Sequence, residues 1–360
     1  MPNPDHEFIF IGTGTSSATC LTRKPLTCKV CLKAATWTPP TLTTEGLKRS
    51  SDASVQTPPS FNHNKRGNTS GLYRYRHSDG RMRNILIDCG KTFYASALQW
   101  FPYYDITTID AVLITHGHAD AIMGLDDLRQ WTLKSDAHPE LGPVQESIPI
   151  WLNSEAMSVI QGVFPYLVDR SRATGGGQIA ALDFKVFDDG THGDFELTEY
   201  GYPILKIEEL QVIPFEVEHG KAKGNPYYCL GFKFPEITYI SDTNLVPENA
   251  KKLVKHSPIL VLDALRGNRS TSFNAPFLFS PLLIAKPIIC SKDIEHPSHL
   301  SFNEAIQLGL ELAPKRLFFT DFCHDLEHSD MEERLKSHSG LQQAGITAAP
   351  AYDGLAISLK

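Results

Sequence analysis

The sequence lacks the features by which membrane and exported proteins are recognised. No apolar run approaches the roughly 18 residues of a membrane-spanning helix. The first residues, Met-Pro-Asn-Pro-Asp-His-Glu, lack the basic and apolar regions of a signal peptide. We therefore predict no membrane partner and a cytosolic location that can also include the nucleus.

Basic residues and cysteines are also in short supply. The chain has 34 Lys and Arg against 41 Asp and Glu, a net charge of −7. This balance argues against strong binding of duplex nucleic acid, but it allows a small anionic substrate held by a metal. The cysteines number seven, which is odd, and therefore suit a reducing compartment better than a disulfide framework.

The remaining composition is that of a folded globular chain. Its 360 residues are 41% hydrophobic, which is enough for a sizeable core. At this length the chain could be one large α/β domain or two smaller ones. We predict surface insertions at about 36–68, where aliphatic periodicity is weak, and at about 267–293. The oligomeric state is left open, and a homodimer is one of the alternatives.

One short stretch concentrates residues that can bind a metal. Val112, Leu113 and Ile114 favour a buried strand, and His116, His118 and Asp120 follow at intervals of two residues. On an extended backbone such residues point to the same side, so they can converge on a divalent cation such as zinc, manganese or iron. The alternative is a polar loop with two solvated histidines.

Other predicted strands end in similar residues. His219, Asp242 and Asp321 each follow an apolar stretch of their own. Because a sheet places strand ends side by side on rigid supports, the recurrence favours one shared site over separate surface side chains.

Two motifs near the N-terminus, one with glycines and one with cysteines, indicate a binding site less clearly. Residues 12–16, Gly-Thr-Gly-Thr-Ser, predict a tight turn, since the third glycine and the helix of a nucleotide-binding loop are missing. Cys20, Cys28 and Cys31 have zinc-ligand spacing but need a fourth ligand, and three reduced thiols are the alternative.

In order along the chain, four motifs together resemble the metallo-β-lactamase superfamily. They are Thr-His-Gly-His-Ala-Asp at 115–120, Val-Glu-His-Gly at 217–220, Tyr-Ile-Ser-Asp-Thr at 239–243 and His-Pro-Ser-His-Leu-Ser at 296–301. The chain is most similar to the branch that contains the phosphonate-pathway cyclic phosphodiesterase, and more distantly to the transfer-RNA 3′-processing endonuclease. The resemblance covers residues 7–360 apart from the two insertions. It implies that residues 1–360 form a single α/β domain, a four-layer αββα sandwich with a metal site on one edge.

The resemblance also implies a role for individual residues. It places His116, His118 and His219 at a first metal, Asp242 between two metals and Asp120 at the second metal, and it makes His299 and Asp120 the catalytic residues. It also implies a structural zinc site, whose four ligands are Cys20, Cys28, Cys31 and His324.

Two positions depart from the family pattern, and both concern the second metal. Ala121 stands where a histidine is usual, and Asp321 stands in place of a late histidine. Asp120, Asp242 and Asp321 would then form an oxygen-rich site that prefers manganese or magnesium to zinc. The alternative is a single catalytic ion, and the sequence does not decide between one and two.

The residues and the resemblance together predict hydrolysis by a metal-bound hydroxide, with Zn2+ or Mn2+ at the catalytic site and one structural Zn2+. The resemblance alone implies the substrate, a small or cyclic phosphodiester. A metal lowers the pKa of a bound water from 15.7 to about 7, and His299, with an ordinary pKa of about 6.5, would protonate the leaving oxygen. The alternatives are a thioester or lactone hydrolase on the same fold, and a non-catalytic protein whose second metal site has degenerated.

Overall fold

The computed structural model describes residues 6–16, 28–35, 62–133, 142–191, 195–267 and 296–359. Their strands are β1 (His6–Gly12), β2 (Ser70–Arg76), β3 (Met82–Ile87), β4 (Ala111–Leu113), β5 (Ile148–Leu152), β6 (Leu182–Val186), β7 (Leu205–Ile207), β8 (Leu210–Ala222), β9 (Asn225–Lys233), β10 (Ile237–Tyr239), β11 (Ile259–Asp263), β12 (Arg316–Thr320), β13 (Thr347–Pro350) and β14 (Ala356–Ser358).

The helices occupy the connections between these strands. They are α1 (Lys29–Ala35), α2 (Phe93–Tyr104), α3 (Ala119–Ile122), α4 (Arg129–Thr132), α5 (Ser154–Val163), α6 (Pro165–Val168), α7 (Glu248–Val254), α8 (Phe302–Leu312), α9 (His328–Lys336) and α10 (Ser339–Gln343). In the described part of the chain, no helix has both the length and the apolar character needed to cross a bilayer.

The strands form two seven-stranded mixed sheets. The first has the order β14-β1-β2-β3-β4-β5-β6, and the second has the order β13-β12-β11-β10-β9-β8-β7. Strands β3 to β6 are parallel to one another in the first sheet, and β10 to β13 are parallel in the second. The predicted αββα architecture is thereby confirmed.

The continuous apolar runs of the sequence are explained by strands that are buried on both faces. In β1, Phe8 and Phe10 belong to the core between the two sheets, whereas Ile9 and Ile11 belong to the core beneath the helices of the first sheet. In β11, Val261 points to the core between the sheets. Its neighbours on either side along the strand face the helices of the second sheet.

Two local predictions differ from the structure, and a third agrees with it. The helical spacing of apolar residues in the sequence predicts one helix over 122–133. The structure instead has the end of α3, a 3-10 turn (Leu125–Leu128) and α4, because the backbone of Gly124 turns to donate to the Cys89 carbonyl at 2.7 Å. His219 lies at a register shift inside β8 instead of at its end. The sequence Ser-Phe-Asn-Glu at 301–304 predicts a capping box at the start of a helix, and Ser301 and Glu304 do cap α8 in this way.

The predicted insertions fall mostly outside the described residues. The described end of the first one, residues 62–68, is packed into the protein: Arg66 is 4% exposed, and both of its terminal nitrogens donate to backbone carbonyls, of Cys323 and Leu326. Residues 62–68 are therefore part of the folded body, and the surface insertion predicted over 36–68 is too long by this segment.

Gly90 allows the loop after β3 to approach α3, and its replacement tests this packing. A Cβ at residue 90 would lie 1.7 Å from the carbonyl oxygen of Asp120, so Gly90→Ala should force the backbones apart and lower the free energy of unfolding by about 1–3 kcal/mol. Gly162→Ala is the matched control, since its added methyl group meets nothing within 4 Å and should stabilise α5 by about 0.5–1 kcal/mol. Equal melting temperatures for the two variants would contradict the packing described here.

Candidate metal centre

Several strands of the two sheets end at the same edge of the sandwich. The residues at or just after these ends are Asp88 after β3, His116 after β4, Asp242 after β10, Asp263 at the end of β11 and Asp321 after β12. The two sheets are joined directly at this edge, because the Leu230 amide of β9 donates to the Thr115 carbonyl at 2.9 Å. Polar side chains that are far apart in sequence therefore meet on one rigid support.

The three histidines predicted to bind the first metal converge. The ring centroid of His116 lies 4.5 Å from that of His118 and 5.1 Å from that of His219, and one nitrogen from each ring lies within 4.8 Å of the others. His219 Nε2 and His118 Nδ1 are 3.3 Å apart. Two nitrogens bound to one tetrahedral zinc at 2.0–2.1 Å are also about 3.3 Å apart, so the spacing fits a bound cation.

Hydrogen bonds fix which nitrogen His116 and His219 offer. His219 Nδ1 donates to the Ser298 carbonyl at 2.8 Å, which leaves Nε2 with its lone pair. Thr115 Oγ1 donates to Asp88 at 2.7 Å and therefore accepts from His116 Nδ1, at 2.8 Å. Outer groups of this kind orient the histidines of metal sites.

The remaining nitrogen of His116 gives the clearest test of whether the three histidines fit a metal ion. His116 Nε2 is buried, and no described residue forms a hydrogen bond with it. Burial lowers the pKa of His116 to about 3, so the imidazole is neutral at pH 7, which is the form that binds metals. A divalent cation at the three histidines would satisfy this atom.

His118 is held by an aromatic ring. It is the most exposed of the three histidines, and its ring is stacked on that of Tyr227, with centroids 5.1 Å apart and planes inclined by 19°. The preceding Gly117 packs closely on Val159, since a Cβ there would approach the valine side chain to 2.8 Å. The ring of Tyr227 therefore limits the orientations of His118.

Asp242 lies beside this trio. It is 4% exposed, and its carboxylate is within 4.8 Å of ligand atoms of both His116 and His219. Burial alone would raise the pKa of Asp242, but the imidazoles of His116, His219 and His299 outweigh it and lower the pKa to about 2. Asp242 is therefore available as an anionic ligand.

His299 is clamped between two carboxylates. Its Nδ1 lies 2.9 Å from Asp263 Oδ2 and 3.1 Å from Asp321 Oδ2, and its ring centroid is 4.7 Å from that of His219. Burial alone would lower the pKa of His299, but Asp263 and Asp321 outweigh it and raise the pKa to about 12. The ordinary pKa assumed from the sequence is thus corrected, because two buried carboxyl groups face His299 Nδ1.

Asp263 was missed as a site residue by the sequence reasoning. It is fully buried and accepts from His299 and from the Thr243 amide at 2.9 Å. Burial, opposed by His299, raises its pKa to about 6. The signal was present, since Asp263 ends a buried strand just as the predicted ligands do.

Asp120 is near the site but is not gathered with the other predicted ligands of a second metal. Its Oδ2 accepts from Ser16 Oγ at 2.5 Å, which gives the turn at residues 12–16 a positioning role. Its Oδ1 is buried and has no hydrogen-bond partner among the described residues. No group of three potential ligands in the described ranges joins Asp120 to Asp242 and Asp321.

The cysteine cluster is the second place where metal ligands meet. The ligand atoms of Cys28, Cys31 and His324 lie within 4.8 Å of one another, and Cys28 Sγ is 3.5 Å from His324 Nδ1. The remaining predicted ligand, Cys20, lies outside the described residues. Two thiols and an imidazole suit a structural zinc ion.

The chain belongs to the metallo-β-lactamase superfamily. The model of the family described as the beta-lactamase superfamily domain matches residues 83–322, a range that contains His116, His118, His219, Asp242 and the carboxylates that clamp His299. Membership of this superfamily indicates a metal-dependent hydrolase.

The individual proteins that are similar to this chain have low sequence identity to it. An octanoyltransferase from Porphyromonas gingivalis is 26% identical over 310 residues, which cover 82% of this chain and 47% of that protein. The chain therefore spans about half the length of this curated relative.

Among solved structures, a diphosphatase of the PhnP family has 24% identity, a TM-score of 0.60 and coverage of 98% of this chain and 97% of its own. Zn2+-bound PqqB from Methylobacterium extorquens has 15% identity, a TM-score of 0.57 and coverage of 98% and 99%. These likenesses establish the fold.

The stacking of Tyr227 on His118 predicts an effect on metal affinity. Tyr227→Leu should weaken zinc binding at the three histidines by about 10–100-fold, the usual effect of removing a group that orients a ligand. Tyr227→Phe retains the stacked ring and should keep most of the affinity. Competition with a zinc-binding dye measures both constants, and an unchanged affinity in the leucine variant would show that the ring does not orient His118.

Proposed function

We propose that the chain is a metal-dependent phosphodiesterase that acts on a small or cyclic phosphodiester, with Zn2+ or Mn2+ at the catalytic site. The observation that carries the proposal is the convergence of three imidazoles on one point, among them the buried and neutral His116, with the anionic Asp242 beside them. A cation held there supplies a water of lowered pKa and attracts the oxygens of the substrate.

The neighbouring side chains supply groups that phosphodiester cleavage needs. His299 uses Nδ1 for its two carboxylates, which leaves the N–H at Nε2 for a phosphoryl or leaving oxygen. The raised pKa of His299 keeps its ring positive, and a positive N–H stabilises the charge that develops on phosphoryl oxygens. This favours an anionic phosphodiester over a neutral ester.

Asp120 is the candidate for handling the proton of the attacking water. One of its oxygens is fixed by Ser16, and the other is buried with no partner in the described part of the chain. A carboxylate held in this way can accept a hydrogen bond from the nucleophile and orient it before attack.

The similar structures give the proposal limited support. The PhnP-family structure is named as a diphosphatase, an enzyme that acts on a phosphorus–oxygen bond. The curated relative is named for octanoyl transfer, but the match covers less than half of that protein. Thioester or lactone hydrolysis is therefore the second candidate, with an octanoyl thioester as its test substrate.

The proposal predicts the behaviour of a variant without one imidazole. His118→Ala should reduce hydrolysis of bis-p-nitrophenyl phosphate by more than about a hundredfold, since loss of even an outer group costs 10–100-fold. The matched control is His256→Asn, which removes an exposed imidazole and keeps a residue that tolerates the positive φ of 60°. Steady-state rates after zinc or manganese loading measure the effect.

The substrate panel separates the alternatives. The wild-type protein should hydrolyse bis-p-nitrophenyl phosphate or a 2′,3′-cyclic nucleotide faster than an octanoyl thioester or a lactone. A preference for the thioester would favour acyl chemistry. No turnover of any substrate under either metal would favour the non-catalytic alternative.

His299 should affect catalysis without affecting metal content. His299→Ala removes the N–H at Nε2 and should lower kcat by about 10²–10⁴-fold, the usual contribution of a positioned acid. The metal content should stay at the wild-type level, because the three ligand histidines are unchanged. A normal kcat with only a raised KM would show that His299 binds substrate and takes no part in the chemical step.

A further inference from the structure

We propose that this chain binds a single catalytic ion, at His116, His118, His219 and Asp242, and that Asp321 holds His299 in place of a second ion. The inference rests on the proposed function and decides between the one-ion and two-ion alternatives that the sequence left open. The residues required for a second ion do not fit one.

Distance gives the first argument. Oxygens bound to one zinc, at about 2.0–2.2 Å, cannot be more than about 4.4 Å apart. Within the described ranges, Asp120, Asp242 and Asp321 do not form a group whose ligand atoms lie within 4.8 Å of one another, whereas the three histidines do. The predicted oxygen-rich site is therefore not formed by these side chains.

The hydrogen bonds of Asp321 give the second argument. Its Oδ1 accepts from Thr69 Oγ1 at 2.9 Å, and its Oδ2 faces His299 Nδ1 at 3.1 Å. Asp321 is 1% exposed, and its backbone has a φ of 63°. Oδ1 thus has a hydrogen-bond donor, and Oδ2, which forms no hydrogen bond within the described residues, is held as an ion-pair partner of the His299 ring. In this buried position the carboxylate serves to position His299.

Residues 120 and 121, on the other side of the predicted second metal site, are equally unsuited to bind an ion. Ala121 has no ligand atom, and it is buried in the core beneath the helices of the first sheet. Asp120 has one oxygen fixed by Ser16 and only one left over. Residues 120 and 121 therefore offer a second ion a single side-chain oxygen that is free of hydrogen bonds within the described residues.

Metal content tests the inference directly. Wild-type protein and three variants, His118→Ala, Cys31→Ser and Asp321→Asn, are loaded with excess Zn2+ or, in parallel samples, with excess Mn2+. They are then freed of loose ions by gel filtration and measured by elemental analysis. We expect His118→Ala to lose the catalytic ion and Cys31→Ser to lose the structural ion. Asp321→Asn should hold as many ions as the wild type.

Asp321→Asn should nevertheless lose activity, because the amide positions His299 less firmly than the carboxylate does. We expect a fall in kcat of at least about tenfold, smaller than that of His299→Ala, with KM unchanged. Loss of an ion in Asp321→Asn would overturn the single-ion inference, and so would a wild-type content one ion higher than the catalytic and structural sites together.

The failure of the proposed function has a different signature. If His118→Ala keeps every ion that the wild type holds, the three histidines are not a metal site and the proposed function fails with the inference. If His118→Ala and Asp321→Asn each lose one ion, the hydrolase proposal stands and only the single-ion inference fails. Should Cys31→Ser not fold, release of zinc by a mercurial reagent from the wild-type protein counts the thiolate-bound ion instead.

Discussion

The site depends on the contact between two sheets whose strand ends meet at one edge. The core between the sheets is filled by alternate residues of strands buried on both faces, such as Phe8, Phe10 and Val261. This packing fixes the sheets relative to one another, and the bond from the Leu230 amide to the Thr115 carbonyl joins them beside the histidines. Without that contact, His116 of one sheet and His219 of the other would share no ion.

A second layer of polar groups determines which ring nitrogen each of two histidines offers to a metal. The Ser298 carbonyl selects the tautomer of His219, and Thr115 with Asp88 selects that of His116. Each bond leaves a lone pair on the nitrogen that faces the common centre. Burial lowers the pKa of His116. The loss of water around the ring therefore keeps it in the neutral form, which is the form that binds a cation.

Local sequence could predict the ligands whose positions follow from strand periodicity. His116, His118, His219 and Asp242 were identified because apolar runs lead to them, and the structure brings them together. It could not predict the partners of Asp321, since Thr69 and His299 are distant in sequence and their contacts exist only after the sheets have formed. The break near Gly124 was missed for the same reason: the carbonyl that stops the helix belongs to Cys89.

The two clusters of metal ligands are physically continuous through the end of β12. Asp321 lies two residues before Cys323 and three before His324. The backbone between them is tied to the first turn of the chain, because the Phe322 amide donates to the Thr13 carbonyl at 2.9 Å. The carbonyl of Cys323 in turn accepts from buried Arg66 at 3.0 Å. Since a structural zinc contributes to folding free energy, an ion at Cys28, Cys31 and His324 would stiffen the segment that carries Asp321. The clamp on His299, and with it the charge presented to substrate, would then depend on an ion that never contacts the substrate.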